Sequence, residues 1–283
     1  MAHRRPERVE GRASRGVTAQ GHVPARILFL GTGTSHGVPM IGCTCEVCRS
    51  TDPRDTRLRP SIYVDVPGRA KILVDTSPDL RQQALTHRLT RVDAVLFTHG
   101  HADHVLGLDE VRRFNVMQGG PIPCYASGPT WETLRRTFHY MFDGVQRLGG
   151  GIPELEVHEI DGPLTIQGVR VRPVPVWHGE MPVLGFRFGD FAYLTDCNRL
   201  ADEAWDVIDG VDTLVIDALR DKPHVTHFSL DQALDVVARV KPRRAYTTHM
   251  THAIAHAATN ARLPAGVELA YDGLVLDVRV DVE

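Results

Sequence analysis

From Ala25 onward the chain sets short apolar runs, rich in Val, Ile and Leu, between breaks of Gly, Pro, Asp and Asn. Runs of this kind predict strands. The first is ARILFL, which feeds the glycine-rich turn GTGTSHG. Others fall at 61–66, 71–76, 94–99, 121–126, 155–160, 169–176, 184–196, 213–218, 244–249 and 274–280, with Gly189 and Asp190 marking a hairpin turn in the long eighth run. Helical periodicity covers 79–88, 107–117, 130–142 and 229–240, and Ser229 and Gln232 stand in capping-box spacing at the start of the last. Strands in hairpin succession with helices interspersed predict an α/β (α+β) fold in which two packed mixed sheets carry helices on their outer faces. No internal repeat or linker divides 25–283, so these residues are read as one domain.

Residues 1–24 are Arg-rich and lack an apolar core, which excludes a secretory signal or membrane span and predicts a disordered basic tail; a start codon assigned too early is the other reading. With no export signal the expected compartment is the cytoplasm, where free thiols persist. The 283 residues carry a formal net charge of -3, so no global basic field recruits a polynucleotide, and nucleic acid is not an expected partner. Composition adds two departures from an ordinary soluble domain. Histidine is frequent, at 15 residues, and three of the five cysteines crowd into CTCEVC. An odd, clustered set of cysteines does not read as a disulfide framework.

The histidines concentrate where strands end. FTHGHADH places His99, His101, Asp103 and His104 within six positions, on a short loop expected to lead from the strand into a helix beginning near Gly107. Gly100 gives that loop freedom to turn. Imidazole and carboxylate together suit Zn, Mn or Fe, and two such ions about 3.5–4 Å apart can activate water while polarising a phosphoryl or acyl oxygen. His178 follows the run VPVW, Asp196 ends AYLTD and His249 ends AYTTH, each at a strand terminus.

HGHADH matches the HxHxDH motif, and the chain resembles the metallo-β-lactamase fold superfamily of metallohydrolases over nearly all of 25–283. The resemblance implies an αββα sandwich and two active-site metals. It assigns His99, His101 and His178 to one metal, Asp103, His104 and His249 to the other, and Asp196 to both. Some members use a cysteine near this last position, but neighbouring strand residues face opposite ways, so Asp196 and Cys197 cannot both reach the metals, and Asp196 is favoured. Asp75 is either a partner that orients a histidine or, like Asp79, a plain turn and cap residue.

The spacing of Cys43, Cys45 and Cys48 lets one loop wrap a tetrahedral ion, and His252 is the preferred fourth ligand of a closed Cys3His zinc site, with His256 also within reach. Within the superfamily, this cysteine loop and the late HxxH pair resemble the phosphodiesterases that hydrolyse phosphoribosyl cyclic phosphate in phosphonate breakdown. The coenzyme-biosynthesis proteins of the pyrroloquinoline quinone pathway share the loop but lack the full active-site set. His227 stands 22 positions before His249, the spacing at which the resembling phosphodiesterases carry an extra histidine. The reaction implied is attack of a metal-bridging hydroxide on a small or cyclic phosphodiester, with His227 assisting the leaving group and Asp103 and Asp196 as the catalytic carboxylates. His224, Arg220 and Lys222 are candidates for added phosphate contacts or plain loop residues.

Three rival readings are weighed against this one. A glyoxalase-II-like thioesterase shares the active-site ligands, but the cysteine loop and His227 speak against it. A tRNA 3′-processing-type nuclease would show a protruding RNA-binding arm. A non-catalytic metal-binding accessory protein would have lost a ligand. No membrane partner is expected, and relatives imply a possible homodimer.

Overall fold

Most apolar runs become strands because both of their faces find apolar neighbours, as in SIYVDV and AKILV, where nearly every residue is buried. The computed structural model describes residues 21–145 and 151–283. The strands are β1 (Gly21–Gly31), β2 (Ser61–Val66), β3 (Ala70–Val74), β4 (Ala94–Leu96), β5 (Ile122–Ala126), β6 (Leu155–Glu159), β7 (Leu164–Ile166), β8 (Val169–His178), β9 (Met181–Phe188), β10 (Phe191–Leu194), β11 (Arg199–Leu200), β12 (Thr213–Asp217), β13 (Arg244–Thr248), β14 (Val267–Leu269) and β15 (Val275–Val282). The α-helices are α1 (Leu80–His87), α2 (Ala102–Val105), α3 (Val111–Gln118), α4 (Gly128–Thr137), α5 (His139–Phe142), α6 (Asp202–Ile208), α7 (Leu230–Val240) and α8 (His256–Asn260).

Hydrogen bonding runs without a break from β14 through β13, β12, β10, β9, β8, β15, β1, β2, β3, β4 and β5 to β6. The two halves meet at one pair, Val282 of β15 opposite Val169 of β8, after which β8 turns to run beside β9. The strip thus folds into two facing sheets. Ile27, Val64 and Ile72 of one pack against Phe186, Tyr193 and Val215 of the other in a single buried cluster. On the outer faces, Leu80, Phe114, Trp131 and Leu134 cover the first sheet, while Ala204, Ile208, Leu230 and Ala233 cover the second. This is the expected four-layer order of helix, sheet, sheet, helix.

Several boundaries differ from the sequence reading. The strand expected from Ala25 begins at Gly21, because β15 reaches far enough to pair Gly21 with Val282. Residues 21–24 are therefore strand rather than tail, and residues 1–20 lie outside the described residues. The helix expected over 130–142 breaks at Phe138, whose φ of -112° and ψ of 40° leave the helical region while its ring is buried with Trp131 and Leu134. The segment expected to be helical from Gly107 opens as a 3-10 turn, Leu108–Glu110, before α3. The hairpin at Gly189 and Asp190 forms as expected, pairing Phe188 with Phe191. Among the described residues no helix is long and apolar enough to cross a membrane.

Candidate active site and metal centre

Six strands deliver the site from their carboxyl ends. Asp75 follows β3, His99 follows β4, His178 ends β8, Asp196 follows β10, Asp217 ends β12 and His249 follows β13. Asp75, Asp196 and His249 sit at φ of 63°, 52° and 62°, in the left-handed region that Asp and His visit more readily than bulky residues. That backbone turn ends each strand and is the kind of local strain that collects at functional positions. Beyond His99 the chain forms a short loop and then the single turn α2, which carries Asp103 and His104, where the sequence reading placed only loop. Gly100 serves a different purpose from the one expected: a Cβ there would lie 2.8 Å from the Thr133 side chain, so the loop packs closely on α4.

Two sets of four donor atoms result. His99, His101, His178 and Asp196 form one, and Asp103, His104, Asp196 and His249 the other, with the donor atoms of each set within 4.8 Å of one another. Asp196 joins them: its Oδ1 lies 3.1 Å from His104 Nε2 and 3.2 Å from His249 Nε2, and its Oδ2 lies 3.9 Å from His99 Nε2. Both sets are largely buried, while His101 remains exposed. His99 Nε2 and His104 Nε2 are buried without a hydrogen-bond partner. Buried ring nitrogens facing a shared carboxylate fit divalent metal ions by donor type and placement.

A second layer of contacts fixes these rings. Asp75 Oδ2 lies 2.7 Å from His104 Nδ1, and the same carboxylate accepts from the Thr98 amide and hydroxyl, each at 2.8 Å. His178 Nδ1 donates to the Thr226 carbonyl at 2.8 Å, turning its Nε2 toward the first set. Cys197 faces away into the core beneath α6 and α7 and donates its amide to Asp217. The favoured Asp196 is therefore the one that points into the site.

Charge in the pocket is strongly coupled. Burial, with His104 nearby, pushes the His99 imidazole well below its ordinary pKa. Burial acts the same way on His104, but Asp196, Asp103 and Asp75 outweigh it and hold that ring well above the usual value. For His249, burial is overcome by Asp196 and Asp103, which lift its pKa to about 9. Asp103 and Asp196 resist the upward push of burial because neighbouring imidazoles hold them well below the carboxylate range. The pocket is thus organised to keep its carboxylates ionised against positive charge.

One residue of the site's surroundings escaped the sequence reading. Asp217 Oδ2 lies 2.7 Å from His227 Nδ1, and Asp217, His227 and His249 form a third compact group. The His227 ring stacks on His249 with centroids 4.8 Å apart and meets His178 edge-on at 4.5 Å. His227 therefore lies between the two donor sets. The run TLVID carried the signal, a carboxylate at a strand end ten positions before His227, but a lone Asp there reads equally well as a turn residue. His224 bonds the Thr226 hydroxyl and Arg220 donates to the carbonyls of Lys222 and Pro223, so both brace their loop. Lys222 is exposed. Asp79 stands at the N-cap of α1, but its side chain makes no capping bond there; it accepts the Arg59 amide and pairs with the Arg59 guanidinium.

The cysteine loop forms a separate cluster. Cys43, Cys45, Cys48 and His252 place their donor atoms within 4.8 Å, with His252 Nδ1 3.3 Å from both Cys43 and Cys45 Sγ. All three thiols are free of disulfides. The Cys48 amide first, then His252, lowers the Cys45 thiol to a pKa of about 6. Three thiols and one imidazole at this range fit a tetrahedral zinc ion. His256, the other candidate, lies elsewhere, packed edge-on against Tyr271 with centroids 5.6 Å apart.

Known proteins match this arrangement. A family described as β-lactamase superfamily domain matches residues 70–250. A diphosphatase from the PhnP family is 42% identical, with a TM-score of 0.86 over 92% of this chain and 99% of its own. The coenzyme PQQ synthesis protein B of Methylobacterium radiotolerans is 26% identical over 89% of this chain and 100% of its own length. An octanoyltransferase of Porphyromonas gingivalis is 36% identical over 88% of this chain, but the chain spans only 51% of that protein.

Proposed function

The chain belongs to the β-lactamase superfamily, as a PhnP-like metal-binding hydrolase, and we propose that within it the protein is a dinuclear-metal phosphodiesterase acting on a small phosphodiester, with phosphoribosyl cyclic phosphate as the type of substrate. The observation that carries the reading is the pair of four-donor sets joined through Asp196, with the His227–Asp217 couple packed between them. His99, His101, His178 and Asp196 would hold one ion, and Asp103, His104, His249 and Asp196 the other. Such a pair polarises a phosphoryl oxygen and activates water at neutral pH. Zn and Mn both suit the donors, and the Cys3His cluster suits a structural zinc.

The protein's own groups do the rest. Asp75 and the Thr226 carbonyl keep His104 and His178 aimed inward, so the donors need little reorganisation. Asp217 accepts from His227 Nδ1–H, so that in the imidazolium form the ring's Nε2–H would pass to the departing alkoxide and leave the neutral Nδ1–H tautomer. Products would be a phosphomonoester and an alcohol. A second reading, hydrolysis of a diphosphate linkage, is favoured by the 42% identical PhnP-family diphosphatase. In that case the leaving group is itself a phosphate and needs the proton less.

The test is hydrolysis of bis(p-nitrophenyl) phosphate by metal-loaded and chelated protein, beside Asp103→Ala and His227→Ala. Turnover should vanish on chelation and in Asp103→Ala. On a cyclic ribose phosphate, whose leaving group is an unactivated alkoxide, it should fall by about 100-fold or more in His227→Ala. A dinucleoside diphosphate assayed in parallel separates the two readings, because His227→Ala should cost the cyclic diester more. Metal-loaded protein that spares these substrates yet cleaves a glutathione thioester would make the enzyme a thioesterase instead.

A further inference from the structure

Beside Asp103 lies a cleft of about 550 Å³ that the proposed reaction does not use. Its lining combines the polar Ser35, His36 and Arg59 with the apolar Met40, Ile41 and Leu106. Ile41 is 99% exposed and Leu106 48% exposed, and neither belongs to any buried cluster of the fold. An isoleucine held open to water does nothing for stability, yet three apolar residues from two separate segments line one cleft beside Asp103. Such a lining gains free energy only when something apolar covers it.

The polar lining is built, not incidental. Asp79 accepts the Arg59 amide at 2.8 Å and pairs with its Nη2 at 2.9 Å, while Gln83 donates to the Arg59 carbonyl at 3.0 Å. Nη1 has no hydrogen-bond partner among the described residues and runs beside Gly37, where an added Cβ would lie 3.5 Å away. The guanidinium is therefore held in place with donors to spare, the arrangement that suits a phosphate. The apolar lining is fixed as firmly. The Met40 amide donates to Cys48 Sγ at 3.3 Å and the Met40 carbonyl accepts from the Cys43 amide at 3.0 Å, so the cysteine cluster sets where Met40 and Ile41 stand.

We infer that this cleft is a specificity site for a nucleoside phosphate half of the substrate, its flat base on Met40, Ile41 and Leu106 and a second, non-reacting phosphate on Arg59 and His36. The inference rests on the hydrolase reading above and, within it, favours the diphosphate-linkage reading over phosphoribosyl cyclic phosphate, because a substrate made only of sugar and phosphate has no face to offer the apolar residues. The volume also falls within the range of small-molecule sites, roughly 300–1,000 Å³.

Two p-nitrophenyl diesters with the same leaving group test it: thymidine 5′-(p-nitrophenyl phosphate) and methyl p-nitrophenyl phosphate. The nucleoside ester should be favoured about 30-fold in kcat/KM, mainly through KM, and Ile41→Ser should reduce that ratio about fivefold. Because Ile41 is 99% exposed, its replacement leaves the fold intact. ADP should bind about tenfold more tightly than AMP by calorimetry, and Arg59→Gln should remove the difference while Arg59→Lys keeps part of it. If wild-type protein cleaves both esters with equal kcat/KM and Ile41→Ser leaves the ratio unchanged, the cleft assignment is overturned while the hydrolase stands. Binding of ADP that weakens in Ile41→Ser, in protein that cleaves neither ester, would support the cleft and remove the hydrolase reading.

Discussion

Asp217 presents one carboxylate oxygen to both His227 and the Cys197 amide, and its other oxygen is buried with no hydrogen-bond partner. A carboxylate so placed fixes the His227 tautomer, as an amide could not do reliably. Asp217→Asn should therefore lower kcat about 10- to 100-fold and change KM less than about threefold, with the thermal midpoint unchanged. A merely structural Asp217 would instead lower the thermal midpoint and leave kcat of the folded protein near wild type. The contrast with Asp196 shows what was legible at this scale. HxHxDH and the strand-end residues His178, Asp196 and His249 could be read because residue type, order and position reinforced one another. The left-handed turns at Asp75, Asp196 and His249 could not, since Asp and His at strand ends carry no unique backbone signature.

Among the elements, the segment from His249 to His252 couples two clusters. His249 belongs to the active site and His252, three residues on, to the cysteine cluster. The Arg57 side chain, fully buried, braces this segment by donating to the Thr251 and Ile254 carbonyls at 2.9 Å and 2.7 Å while pairing with Asp55. These partners answer Nη1 and Nη2, while Nε is buried without a partner, so the Asp55 ion pair is what makes the burial tolerable. His252→Ala should release about one equivalent of zinc by elemental analysis and lower the thermal midpoint by several degrees, since metal binding at such a loop contributes directly to folding. Unchanged zinc content would assign the fourth ligand elsewhere. The cysteine loop and the preference for His252 were legible from spacing, and the geometry agrees: His252 Nδ1 lies 3.3 Å from Cys43 and Cys45 Sγ while His256 packs on Tyr271. Strands were read well because burial on both faces leaves long apolar runs. The short β7, β11 and β14 and the helices α6 and α8 were not, because elements of two to seven residues hold too few periods to register.

At the scale of the whole molecule, two sheets joined at Val282 and Val169 bring the carboxyl ends of six strands to one edge. The outer helices and the inner sheet-to-sheet contact were foreseeable from pattern; the closing path through β15 and β8 was not, because it rests on a single long-range pair. Stability should carry a signature of this packing. Burial first, then Arg54 and Arg57, depresses His256 to a pKa of about 4, below its unfolded value of about 6.5. A depressed histidine contributes stability that is present above about pH 6.5 and is lost as pH falls through about 4. The thermal midpoint should therefore drop over that window, and His256→Phe, which keeps a ring against Tyr271, should flatten the drop. An equal slope in the variant would place the acid sensitivity in other groups.

Titrating metal-depleted protein with zinc or manganese while following diester hydrolysis, in wild type and in Asp196→Ala, tests the proposal that His99, His101, His178, Asp103, His104, His249 and the shared Asp196 hold two metals for phosphodiester hydrolysis. Turnover should climb until the second active-site equivalent is bound and be absent from the variant at any metal concentration. Turnover that is already complete in chelated protein, or that survives in Asp196→Ala, would contradict it.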